Sequence, residues 1–131
     1  MYELVRLIHN EKITLKVVMI GMDIQVLCYG GDEPHIGAVS LAVPYESGNM
    51  TGASVSTLTA LTHREDNVCR QLAESFCKQL KTSVAVSCGI HYDQITKELI
   101  LEIQNVVTDM SKELIDEIQN RKISTVDDST D

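Results

Sequence analysis

The sequence predicts a single small α+β domain in which a mostly antiparallel sheet carries helices packed on one face. Short β-branched and apolar runs, separated by turn residues, fill the first half of the chain. Helical periodicity begins only after residue 62, so strands and helices do not alternate as βαβ units. A length of 131 residues suits one domain with one hydrophobic core.

Five predicted strands precede the first helix. They are residues 2–9, 12–20, 23–29, 38–43 and 54–61. Asn10-Glu11 fits a tight hairpin between the first two strands, and the glycine-rich residues 30–37 form a longer connection. Residues 44–53, which contain one proline and two glycines, are predicted to be an exposed loop or lid.

The second half of the chain predicts three helices and one strand. Residues 62–65 have the form of a capping box, and apolar residues then recur at helical spacing to about residue 81. Residues 83–90 are nearly all apolar or small, which predicts a central strand. Asp93 is expected to cap a second helix, and Thr108 or Asp109 a third.

Composition and charge limit the classes of partner. Hydrophobic residues make up 44% and charged residues 23% of the chain, a balance typical of a folded globular protein. The 19 acidic side chains against 11 Lys plus Arg give a net charge of -8, which repels nucleic acid and anionic membranes. Neither is expected as a partner. A small phosphate ligand is still allowed, because backbone N–H groups of a glycine-rich loop bind anions.

The two ends of the chain predict the cellular compartment and the limits of the folded domain, and the cysteines predict a reducing environment. Met1 opens a strand-like stretch rather than a secretion signal, and no apolar run reaches membrane-spanning length, so a cytoplasmic protein is expected. Residues 124–131 lack an apolar pattern and are predicted to be a flexible acidic tail, which leaves residues 1–123 as the folded domain. The cysteines stand singly in apolar surroundings and are expected to be reduced core thiols. They are Cys28, Cys69, Cys77 and Cys88.

Three histidines, His35, His63 and His91, are predicted to lie at one rim of the sheet, because each stands at a strand end or beside a turn. Imidazoles there can bind a divalent metal, hydrogen-bond a phosphate or exchange protons near neutral pH. The alternative is that each ring only satisfies backbone groups of its own loop. A metal-binding protein or metal-dependent enzyme therefore stands beside a phosphate-binding protein as an interpretation of these residues.

Other polar residues can bind an anion, although each has an ordinary structural explanation. Arg64 offers a fork of donors for a phosphate, and Ser54, Ser56 and Thr57 offer hydroxyls, but strand hydroxyls are commonplace. The glycines of residues 30–37 allow close approach to a ligand, yet such a connection is usually only a turn. The stretch matches neither usual nucleotide-binding glycine pattern, and the sequence contains no recognisable hydrolase motif.

Three ordered segments resemble one known family. They are GGDEPHIGAVSLA at 30–42, SVSTLTALTHRED at 54–66 and GIHYDQIT at 89–96. Together they are similar to the LpdD-like prenylated-flavin chaperones, the small D subunits encoded with UbiD-type gallate, vanillate and other phenolic-acid decarboxylases. The resemblance runs from about residue 12 to residue 120. It implies a non-enzymatic accessory subunit that binds prenylated FMN, or a related phosphate-bearing flavin, and helps to deliver it to the decarboxylase.

The resemblance also implies a set of cofactor-binding residues. Carried over position by position, they are Gly30, Gly31, Pro34, His35, Gly37, Ser54, Ser56, Thr57, His63, Arg64, Gly89 and His91, with Glu65 and Thr96 in the same motifs. No catalytic residue is expected. The three histidines are the candidate ligands if a divalent metal accompanies the flavin. Low aromatic content limits packing on a flavin ring to stacking by Tyr29, Tyr45 and Tyr92 or to aliphatic contacts from residues such as Ile36 and Ile90.

The expected partners are a UbiD-type decarboxylase large subunit and the flavin prenyltransferase that makes the cofactor. A homo-oligomer is also expected, because a small sheet with helices on one face leaves its other face uncovered. Two alternatives stay open from the residues alone. One is the metal-binding protein or metal-dependent enzyme, and the other is a purely structural subunit that stabilises a decarboxylase.

Overall fold

The computed structural model describes residues 2–60 and 66–130, with residues 66 and 122–130 described only as backbone. The elements in chain order are β1 (Tyr2–Ile8), β2 (Glu11–Ile20), β3 (Asp23–Gly31), β4 (Ala38–Ser47), β5 (Met50–Thr59), α1 (Asp66–Leu80), β6 (Val84–His91) and α2 (Lys97–Thr130). These strands form one six-stranded sheet of order β1-β2-β3-β6-β4-β5. Neighbouring strands are antiparallel except β3 and β6, which are parallel. The predicted α+β class with a mostly antiparallel sheet is confirmed.

One face of the sheet forms the hydrophobic core with the two helices. Successive side chains of a strand point to opposite faces, so alternate residues such as Ile13, Leu15 and Val26 are fully buried. They lie in one cluster with Phe76 of α1 and Leu114 of α2. Helix α1 lies over β4, β5 and β6, whereas α2 contacts β1 and β2. The four cysteines form no disulfide with one another and are buried in this core, as the sequence predicted.

The opposite face of the sheet carries no further layer within the described part of the chain. On β4 the small residues at 38, 40 and 42 are buried beneath the helices. Val39, Leu41 and Val43 point the other way and are between 40% and 51% exposed. Large apolar side chains therefore face outward on this strand and small ones face inward. We call this side of the sheet the uncovered face.

Residues 44–53, predicted to be a loop or lid, instead continue two strands, so that prediction was wrong. Strand β4 runs to Ser47 and β5 begins at Met50, with a turn in which Gly48 has a φ of 62°. Strand β4 pairs with β6 only as far as Ala42. Pro44 lies beyond that point, so its missing N–H breaks no bond to β6. The result is an exposed hairpin that extends past the rest of the sheet.

The two helices predicted after residue 93 are one continuous helix, α2, so the expected break at Thr108-Asp109 was also wrong. The Thr108 carbonyl accepts a hydrogen bond from the Ser111 hydroxyl at 2.7 Å. Val107 and Met110 are buried on the core side of the same turn. Burial of a continuous apolar stripe outweighs the local capping preference of Thr and Asp.

The start of α2 differs from the prediction. Thr96, rather than Asp93, is the N-cap, because its Oγ1 accepts the N–H of Leu99 at 3.1 Å. The helix assignment extends to Thr130, and the flexible tail expected at residues 124–131 stays a prediction. The capping box predicted at residues 62–65 lies outside the described residues. Helix α1 ends at Leu80, close to the predicted position.

Candidate functional site at one edge of the sheet

Three segments that are distant in the sequence meet at one edge of the sheet. The Asp32 N–H donates to the His91 carbonyl at 2.7 Å, which joins the end of β3 to the end of β6. The Gly37 N–H donates to the Cys88 carbonyl at 2.8 Å, and the Gly37 carbonyl accepts the Ala60 N–H at 2.7 Å. We call residues 30–37, 60 and 89–93 the histidine edge.

Three glycines of the histidine edge are required by close packing of the backbone. A Cβ on Gly89 would lie 1.7 Å from the carbonyl oxygen of His35. A Cβ on Gly31, whose φ is 82°, would lie 2.1 Å from the carbonyl oxygen of His91. A Cβ on Gly30 would likewise lie 2.1 Å from the carbonyl oxygen of Lys12. The space next to these glycines is therefore filled by the protein's own backbone, which explains why no side chain fits there.

The histidine edge brings two imidazole rings together. The ring centroids of His35 and His91 are 6.2 Å apart, with an angle of 77° between the ring planes. The Nδ1 of His35 lies 3.0 Å from the Glu33 carbonyl oxygen, and it carries a proton because a carbonyl can only accept. Both rings are partly exposed, on the side of the uncovered face. The prediction that histidines gather at one rim is met by these two, whereas His63 lies outside the described residues.

Two carboxylates at this edge were not predicted as part of a site. Asp93 Oδ1 lies 3.2 Å from His91 Nε2. Asp32 Oδ2 accepts the N–H of Asp93 at 2.9 Å, which holds that carboxylate in place. The spacing of Asp93 two residues after His91 is a signal that the sequence did contain. These carboxylates make the histidine edge a weak site for a phosphate unless the imidazoles are protonated.

Tyr92 lies at the same edge on the helix-covered side of the sheet. Its hydroxyl donates to the Ile8 carbonyl at 2.7 Å, and only 5% of the residue is exposed. The pKa of Tyr92 is raised to about 12, mainly by burial, with smaller contributions from the carboxylates of Asp32, Glu11 and Glu102. A buried phenol cannot stack on a flavin ring, so Tyr92 is not available for the role that the sequence suggested.

His9 is the fourth histidine, and the sequence gave no reason to single it out. It lies in the β1–β2 turn, where His9 and Asn10 have φ values of 51° and 66°, one residue earlier than the predicted turn. Its ring centroid is 6.2 Å from that of Tyr92, and its Nε2 is 3.4 Å from Glu102 of α2. His9 therefore lies on the helix side of the edge, away from the other two imidazoles.

The predicted strand hydroxyls do not join the histidine edge as a group. Ser54 and Ser56 are exposed on the uncovered face of β5, as the period of two predicted. Ser54 lies five residues before the end of β5 at Thr59, roughly 17 Å along the strand. Thr57 points toward the helix side, where its hydroxyl lies 2.8 Å from that of the buried Ser40.

Of the remaining predicted site residues, Pro34 is exposed in the loop and Gly37 is buried beside β6. His63, Arg64 and Glu65 are not among the described residues. In the ranges 2–60 and 66–130, no group of three His, Cys, Asp or Glu side chains is placed to hold a metal ion. The metal site proposed for the three histidines therefore has no support in the described part of the molecule.

A shallow furrow runs along β6 on the uncovered face and ends at the histidine edge. The outward residues of β6 are small, namely Ala85, Ser87 and Gly89. Their neighbours across the sheet are larger: Leu27 on β3 and Val39 on β4 stand on either side of Ser87. Tyr29 is the neighbour of Gly89 and is half-buried. The backbone of His35 covers the outward side of Gly89, so the strip closes there, and we call its open part along Ala85 and Ser87 the furrow.

A separate cleft of about 170 Å³ lies between the two helices, with Leu72, Val107 and Ser111 among its lining residues. It contains none of the predicted cofactor-binding or metal-binding residues. Its lining residues bear no titratable side chain and no histidine. The furrow and the histidine edge are therefore the better candidates for a cofactor site, because they combine apolar walls with imidazoles.

Comparison with known proteins identifies the class to which this fold and this edge belong. A family model described as the prenylated flavin chaperone LpdD-like domain matches residues 8–119. Because the match covers most of the chain, this protein belongs to that family. A curated relative, Protein LpdD of Lactiplantibacillus plantarum, is 26% identical over 107 residues, which cover 77% of this chain and 73% of the relative. The resemblance inferred from the three segments is confirmed.

A solved structure has the same fold. It is described as a crystal structure of a novel chaperone complex for yeast 20S proteasome assembly, and one chain of it matches with a TM-score of 0.50 and 13% identity. The match covers 84% of this chain and 97% of that chain. At this low identity the likeness is one of fold alone. Separately, none of the helices in the described residues is long and apolar enough to span a membrane.

Proposed function

We propose that this chain binds prenylated FMN, or a related phosphate-bearing flavin, and delivers it to a UbiD-type decarboxylase. The observation that carries the proposal is the family match across residues 8–119. The description of that family names a prenylated flavin and a chaperone role. Delivery to a decarboxylase is the step that the proposal adds.

The furrow suits the flat ring system of a flavin. Its floor is made of small side chains, and its walls include Leu27, Val39 and the half-buried ring of Tyr29. A planar apolar ligand gains contact with such walls without displacing a core residue. The furrow lies on the surface of the domain rather than in its core, so the ligand can enter and leave it without unfolding of the chain. The furrow is therefore the proposed seat of the ring.

The histidine edge suits the phosphate end of the same ligand. His35 and His91 stand where the furrow ends, and an imidazolium donates hydrogen bonds to phosphate oxygens. The neighbouring Asp32 and Asp93 oppose the negative charge of a phosphate, so the grip is expected to be weak. Weak holding suits a protein that must release its cargo, since release is governed by the dissociation rate. The decarboxylation chemistry is supplied by the flavin within the decarboxylase.

The first experiment asks whether the protein holds the flavin and passes it on. The chain is produced together with a flavin prenyltransferase, purified without oxygen and examined by visible absorbance. It is then mixed with a UbiD-type decarboxylase that lacks its cofactor. The proposal predicts a flavin spectrum in the purified protein and activation of the decarboxylase. A colourless protein contradicts the binding step, and a coloured protein that activates nothing contradicts the delivery step.

A second experiment places the ring in the furrow. Ser87→Leu fills the furrow and is expected to reduce flavin retention by about tenfold, because the ring loses its seat. Ser56→Leu is the matched control, since Ser56 is also an outward serine of the uncovered face but lies on β5, outside the furrow. Equal retention by both variants would remove the furrow from the proposal. Circular dichroism checks that both variants are folded.

A third experiment tests the histidine edge. His91→Ala is expected to lower flavin affinity by several-fold, because one donor to the phosphate is lost. His9→Ala is the control, because His9 lies at the same edge on the helix-covered side, next to Glu102. If His9→Ala weakens binding as much as His91→Ala, the phosphate is not held by the imidazoles on the uncovered face.

A further inference from the structure

We propose that a second copy of this chain packs against the uncovered face, so that two sheets lie face to face in a symmetric dimer. The inference begins with β4, where small residues point to the core and Val39, Leu41 and Val43 point to solvent. A strand that buries its small side chains and exposes its large ones is unusual, because apolar area favours burial. A partner that buries the outward side chains of β4 would account for this arrangement.

The uncovered face combines large apolar side chains, on β4 and at Leu27 and Leu58, with uncharged polar ones such as Ser56 and Ser87. On the edge strand β5, Leu58 is 78% exposed and lies next to Val39 of β4. Between the strand ends of β3, β6, β4 and β5, the outward side chains of the described residues carry no charge. Monomeric proteins rarely expose continuous apolar patches larger than a few hundred Å². A macromolecular partner is therefore expected on this face.

The size of the face approaches what a stable dimer buries. The four strands β3, β6, β4 and β5, spaced about 4.8 Å apart and about nine residues long, cover roughly 570 Å² in plan, before the relief of their side chains is counted. A standard protein interface buries about 800 Å² on each partner. A single flavin in the furrow would leave most of this area exposed. A second sheet of the same size would cover it, as in the two-layer packing of β-sandwiches.

The charge distribution allows two copies to meet on this face despite the net charge of -8. Exposed carboxylates such as Glu113, Asp116 and Glu117 lie on α2, on the opposite side of the sheet. Face-to-face packing keeps the two helix layers at the outer surfaces, roughly 30 Å apart, which is several Debye lengths at physiological salt. The repulsion between the two copies is therefore largely screened in this arrangement.

The same distribution places the symmetry axis. Apart from Asp23 at the very start of β3, the charged outward side chains of the described strands lie on β1 and β2, where Glu3 is the cross-strand neighbour of Lys16. An axis near the β6–β4 pair would cover the uncharged strands of one copy with those of the other and leave Glu3 and Lys16 at the wet rim. The two furrows would then remain as open slots within the interface, because their small side chains cannot fill it.

The test is the oligomeric state of the purified full-length chain without flavin, which makes it independent of the proposed function. Light scattering coupled to size exclusion, and sedimentation velocity, are expected to show a dimer at roughly 100 µM. Leu41→Glu is expected to raise the dissociation constant at least about tenfold, because a carboxylate would be buried at the centre of the interface. Leu101→Glu is the matched control. Leu101 of α2 is 59% exposed against 51% for Leu41, and its substitution should leave the dimer intact.

Three results would overturn the proposal. The first is a monomeric wild-type chain at roughly 100 µM. The second is a dimer that survives Leu41→Glu, as pairing through the edge strand β5 would. The third is a monomer whose complex with the decarboxylase is lost in Leu41→Glu, which would assign the face to that enzyme. If Leu41→Glu does not fold, Leu58→Glu replaces it, because that side chain is 78% exposed and cannot disturb the core of its own copy.

Discussion

The backbone of His35 occupies the space that a side chain on Gly89 would need, since a Cβ there would lie 1.7 Å from the His35 carbonyl oxygen. This contact fixes the glycine-rich connection on top of β6 and sets the position of the His35 ring relative to His91. The geometry of the candidate site therefore depends on the absence of one methyl group.

Gly89→Ala is expected to destabilise the fold by about 1–3 kcal/mol and to displace residues 32–37, because the backbone has to move away from the new Cβ. Urea unfolding measures the loss, and amide NMR shifts locate it. Gly21→Ala is the control: Gly21 has a φ of 60° with no atom within 4 Å of an added Cβ, so that variant carries only local strain. Unchanged amide shifts in the connection of Gly89→Ala would contradict the contact.

Tyr92→Phe is expected to lower the free energy of unfolding by about 1–2 kcal/mol at neutral pH, because the buried Ile8 carbonyl loses its donor. Tyr29→Phe on the uncovered face is the matched control and should have little effect. Urea unfolding of wild type, Tyr92→Phe and Tyr29→Phe at one neutral pH measures the difference. A negligible change in Tyr92→Phe would show that the hydroxyl is satisfied by water.

The pH dependence of Tyr92 has a definite sign. Its pKa is raised from 10.0 to about 12 in the folded state, mainly by burial. The unfolded state therefore loses the proton first, and the stabilisation from the neutral phenol is complete below pH 10.0 and lost as pH rises through about 12. The loss is roughly 2–3 kcal/mol. The advantage of wild type over Tyr92→Phe should shrink and then reverse over this range, because the loss exceeds the roughly 1–2 kcal/mol expected at neutral pH, and a constant difference would contradict the raised pKa.

Thr96→Ala is expected to destabilise the protein by about 1 kcal/mol, because the Leu99 N–H loses its cap. Thr96→Ser keeps the hydroxyl and should retain most of the stability. Thermal unfolding followed by circular dichroism compares the two. Equal loss in both variants would assign the effect to the methyl group of Thr96 rather than to capping.

The Ser40 and Thr57 hydroxyls are expected to be coupled, because Ser40 is fully buried and lies 2.8 Å from Thr57. Thr57→Val alone should cost about 1–2 kcal/mol, since it leaves a buried hydroxyl with one partner fewer. A double-mutant cycle with Ser40→Ala should give a coupling energy of about 1 kcal/mol. Additive effects of the two substitutions would contradict a direct hydrogen bond.

Most helices and strands could be predicted because the spacing of their apolar residues fits only one type of secondary structure. Residues 83–90 are apolar or small on both faces, which predicted a central strand, and the corresponding strand β6 lies inside the sheet between β3 and β4. The errors arose where local signals were outweighed by packing. Pro44 and Gly48 predicted a loop, yet the hairpin forms because β4 is free of β6 beyond Ala42. Thr108 predicted a helix break that burial of Val107 prevents.

The position of the two histidines could be predicted, whereas the roles of the nearby carboxylates could not. Strand ends at one edge of a sheet bring their flanking residues together, and this placed His35 near His91. The roles of Asp32 and Asp93 depend on how the glycine-rich connection folds back, which no periodicity encodes. On β4 both sets of alternate residues are apolar or small, so the alternation cannot indicate which set faces the helices. The outward direction of Leu41 became visible only with the register of the strands.

The parallel pairing of β3 with β6 sets the order in which the chain can assemble. Strands β1, β2 and β3 are neighbours in sequence, as are β4 and β5, so each group can form through short-range hairpins. Strand β6, which begins at Val84, is the piece that joins the two groups. Until it inserts, β3 and β4 each present an unpaired edge on which foreign strands can add. Such late, long-range closure predicts folding on a millisecond to second timescale, and on the ribosome it must wait until β6 has emerged.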